Sequence, residues 1–196
     1  TVSTTAPAVP RAALVHLRPQ DRVGDLLDHP ALSGFSRLLL PRTDVEVDRR
    51  TQLSDFASML PYHTQVDASD VVAGLNRLID DAGAGRRVFI DIYTAAEKAR
   101  DPTKVDTGLF FLRGRPGASF AVIAPGGGFS YVAAVHEGLP YALAINRHGF
   151  NAFVLRYRVG QGGTAATEDL AAALSTILRH AAALQVRTDG YSLWGS

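Results

Sequence analysis

The chain of 196 residues contains no cysteine, which removes disulfides, zinc–thiolate sites and a cysteine nucleophile together. Charge of one sign is also lacking. Twenty Lys and Arg against nineteen Asp and Glu leave +1, too weak a field to gather a polyanion or hold an anionic bilayer. Nucleic acid is therefore not expected as a partner. Nor does any apolar run approach the roughly 18 residues of a spanning helix. The longest are pieces such as 120–125 and 152–155, and no membrane span is expected. A phosphate-cradling Gly-Lys-Ser/Thr is missing, no His or carboxylate cluster has metal-ligand spacing, and neither a cofactor nor a metal is expected. Chemistry is left to Ser, His, carboxylates and the backbone.

What is present suffices for a buried core: 46% of residues are hydrophobic and 20% charged, far from the composition of disordered chains. The sequence opens without Met on a Thr-, Ala- and Pro-rich stretch, 1–10, that fits either a mature end after signal removal or a trimmed sequence. An exported protein is expected ahead of a cytoplasmic one.

Two regions differ in character. Residues 1–85 read as an appendage of connecting structure, with a short helix over 32–40 and an amphipathic helix over 70–81 capped by Asp67 or Ser69. From Arg86 to the end, 86–196, short β-rich runs alternate with helical patterns: strands over 88–93, 108–112, 120–124, 152–157 and 191–194, and helices over 139–148 and 167–184. The strand after 88–93 is reached through a polar stretch carrying Asp101-Pro102. Alternation of this kind predicts an α/β fold with a mostly parallel, doubly wound sheet.

Two motifs carry chemical information. Pro125-Gly126-Gly127-Gly128-Phe129 directly follows the apolar strand 120–124, and its glycines permit a backbone path that leaves N–H groups free to meet an oxyanion. A plain strand-to-helix turn is the competing reading. Two strands later, Trp194-Gly195-Ser196 approaches a G-x-S-x-G nucleophile elbow. With Gly195 as the first glycine, Ser196 is the variable position and the nucleophile follows it. With Ser196 itself as the nucleophile, Trp194 stands where the motif requires Gly.

Together these residues resemble the α/β-hydrolase superfamily, within it the hormone-sensitive-lipase-like esterases and the bacterial acetyl-xylan and feruloyl esterases. The glycine loop is similar to their P-G-G-G-[FY] element, His136-Glu137-Gly138 to their H-E-G, and Tyr157-Arg158 to the Y-R that ends their fourth strand, with Asp169 at a position that commonly carries Asp. The resemblance spans nearly half the chain and implies a serine esterase. On it, Gly127 and Gly128 supply oxyanion-hole amides, and Pro125 replaces the family's usual His. Triad order in this fold is Ser, then Asp or Glu, then His, so acid and base are expected after Ser196, in the remaining C-terminal part of the hydrolase as a continuation or a second chain.

Further candidates stand beside these. Gly126, His136 and Glu137 are expected to brace the loop, Glu137 through backbone amides. Phe129, Tyr131 and, if residues 1–85 fold over the active-site mouth, His63 are candidates to touch substrate. His148 and His180 read as structural residues at helix C-termini, and Arg156 and Arg158 as salt-bridged packing in preference to an anion site. A dinucleotide fold fits poorly, because the third glycine of G-x-G-x-x-G falls on Tyr131. The expected activity is hydrolysis of a small acyl ester, acetyl or feruloyl esters of carbohydrates being the substrates that the resemblance implies. The alternative is a non-catalytic binding or scaffold protein of hydrolase descent.

Overall fold

The computed structural model describes residues 15–61 and 65–196. Five strands form one sheet in the order β1-β2-β4-β3-β5: β1 (Phe89–Ile90), β2 (Gly108–Leu112), β3 (Phe120–Ala124), β4 (Asn151–Arg156) and β5 (Ser192–Gly195). β4 pairs parallel with β3, and β3 parallel with β5, whereas β2 runs antiparallel to both β1 and β4. The sheet is mixed, with its parallel pairs confined to the later strands. The short link from β2 to β3, residues 113–119, has no room for a crossover helix, so β3 returns antiparallel to β2 with β4 inserted between them. Strands and helices alternate around this one sheet, the α/β architecture expected from the sequence.

β2 and β4 are buried along their whole length, which is why they read as unbroken apolar runs. Phe111 stacks on Phe153 at 4.2 Å between centroids, and Phe120 meets Phe153 edge-on at 5.7 Å. Only β5 is exposed along its length, with Leu193 and Trp194 about half accessible.

Among the described residues six α-helices cover the sheet or flank it, beginning with the short α1 (Val23–Leu27). Asp67 caps α2 (Ala68–Gly83) by accepting the N–H groups of Ser69 and Asp70. The buried stripe of α2 (Val71, Leu75, Leu78, Ile79) belongs to the same apolar cluster as the sheet. It meets α4 (Leu139–Arg147) so closely that a Cβ on Gly74 would lie 2.7 Å from the Leu139 Cβ. The region 32–40 is not one helix. It forms 3₁₀ turns at Pro30–Leu32 and Ser36–Leu39, interrupted at Gly34, whose φ of +89° stops helical propagation. The first strand is shorter than its apolar run, because Thr94 and Glu97 form a capping box that starts α3 (Ala95–Arg100) immediately afterwards. The last long helix, α5 (Gly162–Arg179), begins inside the glycine-rich turn and breaks at His180, beyond which α6 (Ala181–Leu184) continues.

Candidate active site

Parallel pairing places the C-terminal ends of β3 and β5 side by side, with Ala124 opposite Gly195. The glycine loop and the tip of β5 therefore leave the sheet at one edge. Their contact is direct: the Gly126 N–H lies 3.0 Å from Ser196 Oγ and 3.0 Å from Glu137 Oε2, and Ser196 Oγ donates to Glu137 Oε2 at 2.7 Å.

The loop path depends on unusual backbone angles. Gly127 and Gly128 have φ of +138° and +56°, and Phe129 follows at +59°, a conformation costly for a residue with a side chain. The turn is closed by Ser130 and Tyr131 N–H groups on the Gly127 carbonyl and by Ala133 N–H on the Gly126 carbonyl. Tyr157 Oη donates to the Pro125 carbonyl at 2.7 Å, and Gly160 N–H to the Phe129 carbonyl at 2.7 Å. With the carbonyls held this way, the N–H groups of Gly127 and Gly128 have no acceptor among the described residues. Chemically, such fixed and unpaired donors can stabilise negative charge on an oxygen placed before them.

Glu137 lies on a π-helical turn, Ala134–Gly138, that precedes α4. A Cβ on Gly138 would be 2.4 Å from Val154 Cγ1 and 2.9 Å from Pro125 Cγ, so the turn is pressed against both β4 and the start of the loop. His136, beside it, packs against Phe56 and Tyr131, with ring centroids 5.9 and 6.5 Å apart. Tyr131, a candidate substrate contact, is wholly buried, and its amide donates to the Gly127 carbonyl. Phe129 is 45% exposed, and its ring meets Tyr157 edge-on at 6.3 Å. His63 lies outside the described residues.

The two arginines after the glycine loop differ. Arg158 is salt-bridged to Asp169 and Glu168, and Asp169, fully buried, also accepts the Arg158 N–H and the Tyr93 hydroxyl. Burial works against the Arg158 charge, but its hydrogen bonds to Asp169 and Glu168 outweigh that and raise its pKa. Arg156 makes no ion pair within the described residues; its Nη1 donates to the Leu40 and Pro41 carbonyls at 2.8 and 3.0 Å. Burial lowers its pKa to about 10, which leaves it charged at neutral pH. The salt-bridged packing expected of the pair thus holds for Arg158 alone, because the backbone of residues 40–41 occupies the space where a carboxylate would meet Arg156.

A cavity of about 460 Å³ is lined among others by Asp44, Asp106, Arg156, Tyr157 and Gln161 at the end of β4, and by no residue of the glycine loop. A more apolar cavity of about 440 Å³, between the start of β3, β5 and α4, lies toward the opposite end of the strands and away from the loop. Sequence reasoning did not identify Asp44 or Asp106 as lining residues. No local motif marks them, since they reach the cavity only through the fold. No group of His, Asp or Glu side chains among the described residues is arranged to hold a metal ion. No helix among them is long and apolar enough to cross a membrane.

No protein-family profile matches the chain, and no curated protein matches it. Solved structures do. An α/β-hydrolase enzyme from a Medee basin deep-sea metagenome library is 26% identical, covering 54% of this chain and 43% of its own, with a TM-score of 0.43. An acetyl ester-xyloside bifunctional hydrolase from Caldicellulosiruptor lactoaceticus is 23% identical, with coverages of 55% and 41% and a TM-score of 0.47. A carboxylesterase from Lactobacillus plantarum is 25% identical, with coverages of 45% and 36% and a TM-score of 0.39. The matched region spans less than half the length of each of these proteins.

Proposed function

We propose that this chain, an α/β hydrolase by fold, forms part of a serine carboxylesterase acting on small acyl esters. One observation carries the reading: the tip of β5 meets the glycine loop, Ser196 Oγ lying 3.0 Å from the Gly126 N–H, while the adjacent Gly127 and Gly128 N–H groups remain unpaired among the described residues. In this reading a serine on the turn after Gly195 and Ser196 attacks the ester carbonyl, and the Gly127 and Gly128 amides hold the developing oxyanion. Alcohol departs, and water releases the acyl group from the serine. Each amide aimed in this way contributes about 3 to 4 kcal/mol to lowering the barrier.

The residue after Ser196 is the proposed nucleophile, since the Ser196 hydroxyl is already held between Glu137 and Gly126. The acid and the base are assigned to polypeptide beyond Ser196, as a continuation or a second chain. The half-exposed Leu193 and Trp194 on β5 offer apolar surface for that polypeptide to cover. Residues 1–85 are proposed to wall the active-site mouth. In support, the Pro41 carbonyl accepts both the Val132 N–H at the loop and Arg156 Nη1. Phe129 is the proposed surface contact for substrate.

Acetyl and feruloyl esters of carbohydrates are the proposed substrates. A cavity that includes Tyr157, whose hydroxyl holds the Pro125 carbonyl, suits a hydroxyl-rich alcohol, because Asp44 and Asp106 offer acceptors and Gln161 a donor. The test is turnover of p-nitrophenyl acetate and of acetylated or feruloylated xylan by the full-length protein, with and without a fluorophosphonate. Turnover that the fluorophosphonate blocks is expected; failure of both hydrolysis and labelling would leave a scaffold role.

A further inference from the structure

Gly126, Glu137 and Ser196 come from three separate parts of the chain and meet through one carboxylate oxygen. Glu137 Oε2 accepts the Gly126 N–H at 3.0 Å and the Ser196 O–H at 2.7 Å, and Ser196 Oγ accepts the same Gly126 N–H at 3.0 Å. The junction is tight. A Cβ on Gly126 would lie 3.0 Å from the Ser196 carbonyl oxygen and 3.1 Å from Glu137 Oε2.

The carboxylate is held from behind. Its π-helical turn packs on Val154 and Pro125 through Gly138, where a side chain would clash, and the Gly138 N–H closes the five-residue turn on the Ala133 carbonyl at 3.1 Å. Ala133 itself donates to the Gly126 carbonyl at 2.9 Å. Gly126 is thus held at both its N–H and its carbonyl by one short segment. Such π turns are often placed at functional sites because the extra residue re-aims a side chain that a regular helix would direct elsewhere.

We infer that Glu137 is a positioning residue that fixes the distance between the two halves of the oxyanion hole. The inference rests on the esterase reading above. One half is the pair of amides at Gly127 and Gly128, directly after the Gly126 that Glu137 holds. The other is the elbow that follows Ser196, whose hydroxyl Glu137 also holds. Neither half is fixed to the other by sheet hydrogen bonds, since the β3–β5 ladder ends at Ala124 and Gly195. Beyond that rung they are joined by the carboxylate, which holds both, and by the Gly126 N–H on Ser196 Oγ, an acceptor that the carboxylate itself orients. Glu137 touches no reacting atom; it keeps two sets of donors aimed at one point, and loss of that aim affects the transition state before substrate binding.

The experiment compares wild type, Glu137→Ala, Glu137→Gln, Ser196→Ala and the double variant Glu137→Ala/Ser196→Ala in the full-length protein, using p-nitrophenyl acetate kinetics, urea melts and hydrogen exchange of the Gly126 amide. Glu137→Ala is expected to lower kcat about 10- to 100-fold with KM changed less than about threefold. Glu137→Gln, which keeps an acceptor for Gly126, should recover most of that loss. Ser196→Ala should cost less than Glu137→Ala, and the double variant no more than Glu137→Ala alone, because both remove the same link. Gly126 exchange should accelerate in Glu137→Ala whether or not the protein is an esterase. Unchanged Gly126 exchange, or a kcat loss that only tracks lowered stability, would overturn the inference. An inactive wild type with accelerated Gly126 exchange in Glu137→Ala would instead sink the esterase reading and leave the junction itself standing.

Discussion

The carbonyl oxygen of Tyr131 occupies the place where a side chain on Gly127 would begin: a Cβ there would stand 2.1 Å away, well inside contact distance. Gly127 also has φ of +138°, a value that residues with side chains scarcely adopt. Gly127→Ala must therefore displace the turn that the Ser130 and Tyr131 amides close. We expect a loss of at least about 2 kcal/mol of stability and an esterase rate reduced by more than about 100-fold. Gly128 has φ of +56° with open space where its Cβ would be, so Gly128→Ala should cost only about 1 kcal/mol. Urea melts of the two variants side by side check the contrast, and equal losses would contradict it.

Gly74 and Leu139 define the closest approach of α2 to α4. An added Cβ at position 74 would stand 2.7 Å from Leu139 Cβ. Alanine favours a helix by about 1 kcal/mol over glycine, yet overpacking at such a contact typically costs about 1 to 3 kcal/mol. Gly74→Ala is expected to destabilise, and its cost should be smaller in a Leu139→Gly background, which removes the contacted Cβ that an alanine there would keep. A double-mutant cycle in urea measures the coupling. Additive effects would mean that the two helices do not press on each other.

How much of this was legible in the sequence depended on the range of the interaction. The buried strands β2, β3 and β4 announced themselves through apolar runs, because a strand covered on both faces has no polar side to show. Capping of α2 by Asp67 was equally local. α3 is marked locally by Thr94 and Glu97, three apart as in a capping box, a signal that the polarity of the stretch and Asp101-Pro102 obscure. The antiparallel course of β2 depends on which strand is inserted between β2 and β3, and no local pattern encodes that. In the site, Gly126 to Gly128 and Glu137 could be chosen by type and spacing. The burial of Tyr131, and the pairing of Arg156 with backbone carbonyls instead of a carboxylate, follow from contacts with segments far away in sequence.

Asp169 connects three elements from inside the fold. It is fully buried, accepts the backbone N–H of Arg158 at 2.6 Å and the Tyr93 hydroxyl at 2.7 Å, and pairs with the Arg158 guanidinium at 2.9 Å. Removing one member of a buried ion pair costs about 3 to 5 kcal/mol when the other charge is left uncompensated, and since Glu168 still pairs with Arg158 the low end of that range applies here. Asp169→Ala is expected to fall in that range, and Tyr93→Phe, which loses one hydrogen bond, near 1 to 2 kcal/mol. Melts of both variants test the order. A Tyr93→Phe loss equal to that of Asp169→Ala would show that the ion pair adds nothing beyond one hydrogen bond.

Alkaline pH probes the loop through Tyr157. Burial raises this hydroxyl to about 12, against about 10 for tyrosine in an unfolded chain. Between those values the unfolded tyrosine gives up its proton while the folded one keeps it, so the unfolded state binds fewer protons and stability falls as pH rises. The contribution is complete below about pH 10 and lost by about pH 12. Tyr93, raised first by burial and then by its bond to Asp169, adds a slope of the same sign. Arg156, lowered by burial, works in the opposite direction over the same range, so the wild-type slope alone does not isolate Tyr157. The difference between wild type and Tyr157→Phe does. At pH 7 the variant should lose about 1 kcal/mol, the worth of the hydrogen bond to the Pro125 carbonyl. As the pH climbs from 9.5 to about 11, that deficit should shrink, because the variant has no hydroxyl to ionise. Urea midpoints at pH 7, 9.5 and 11 supply the measurement, and a deficit that stays constant or grows would mean that the hydroxyl is not buried against the loop.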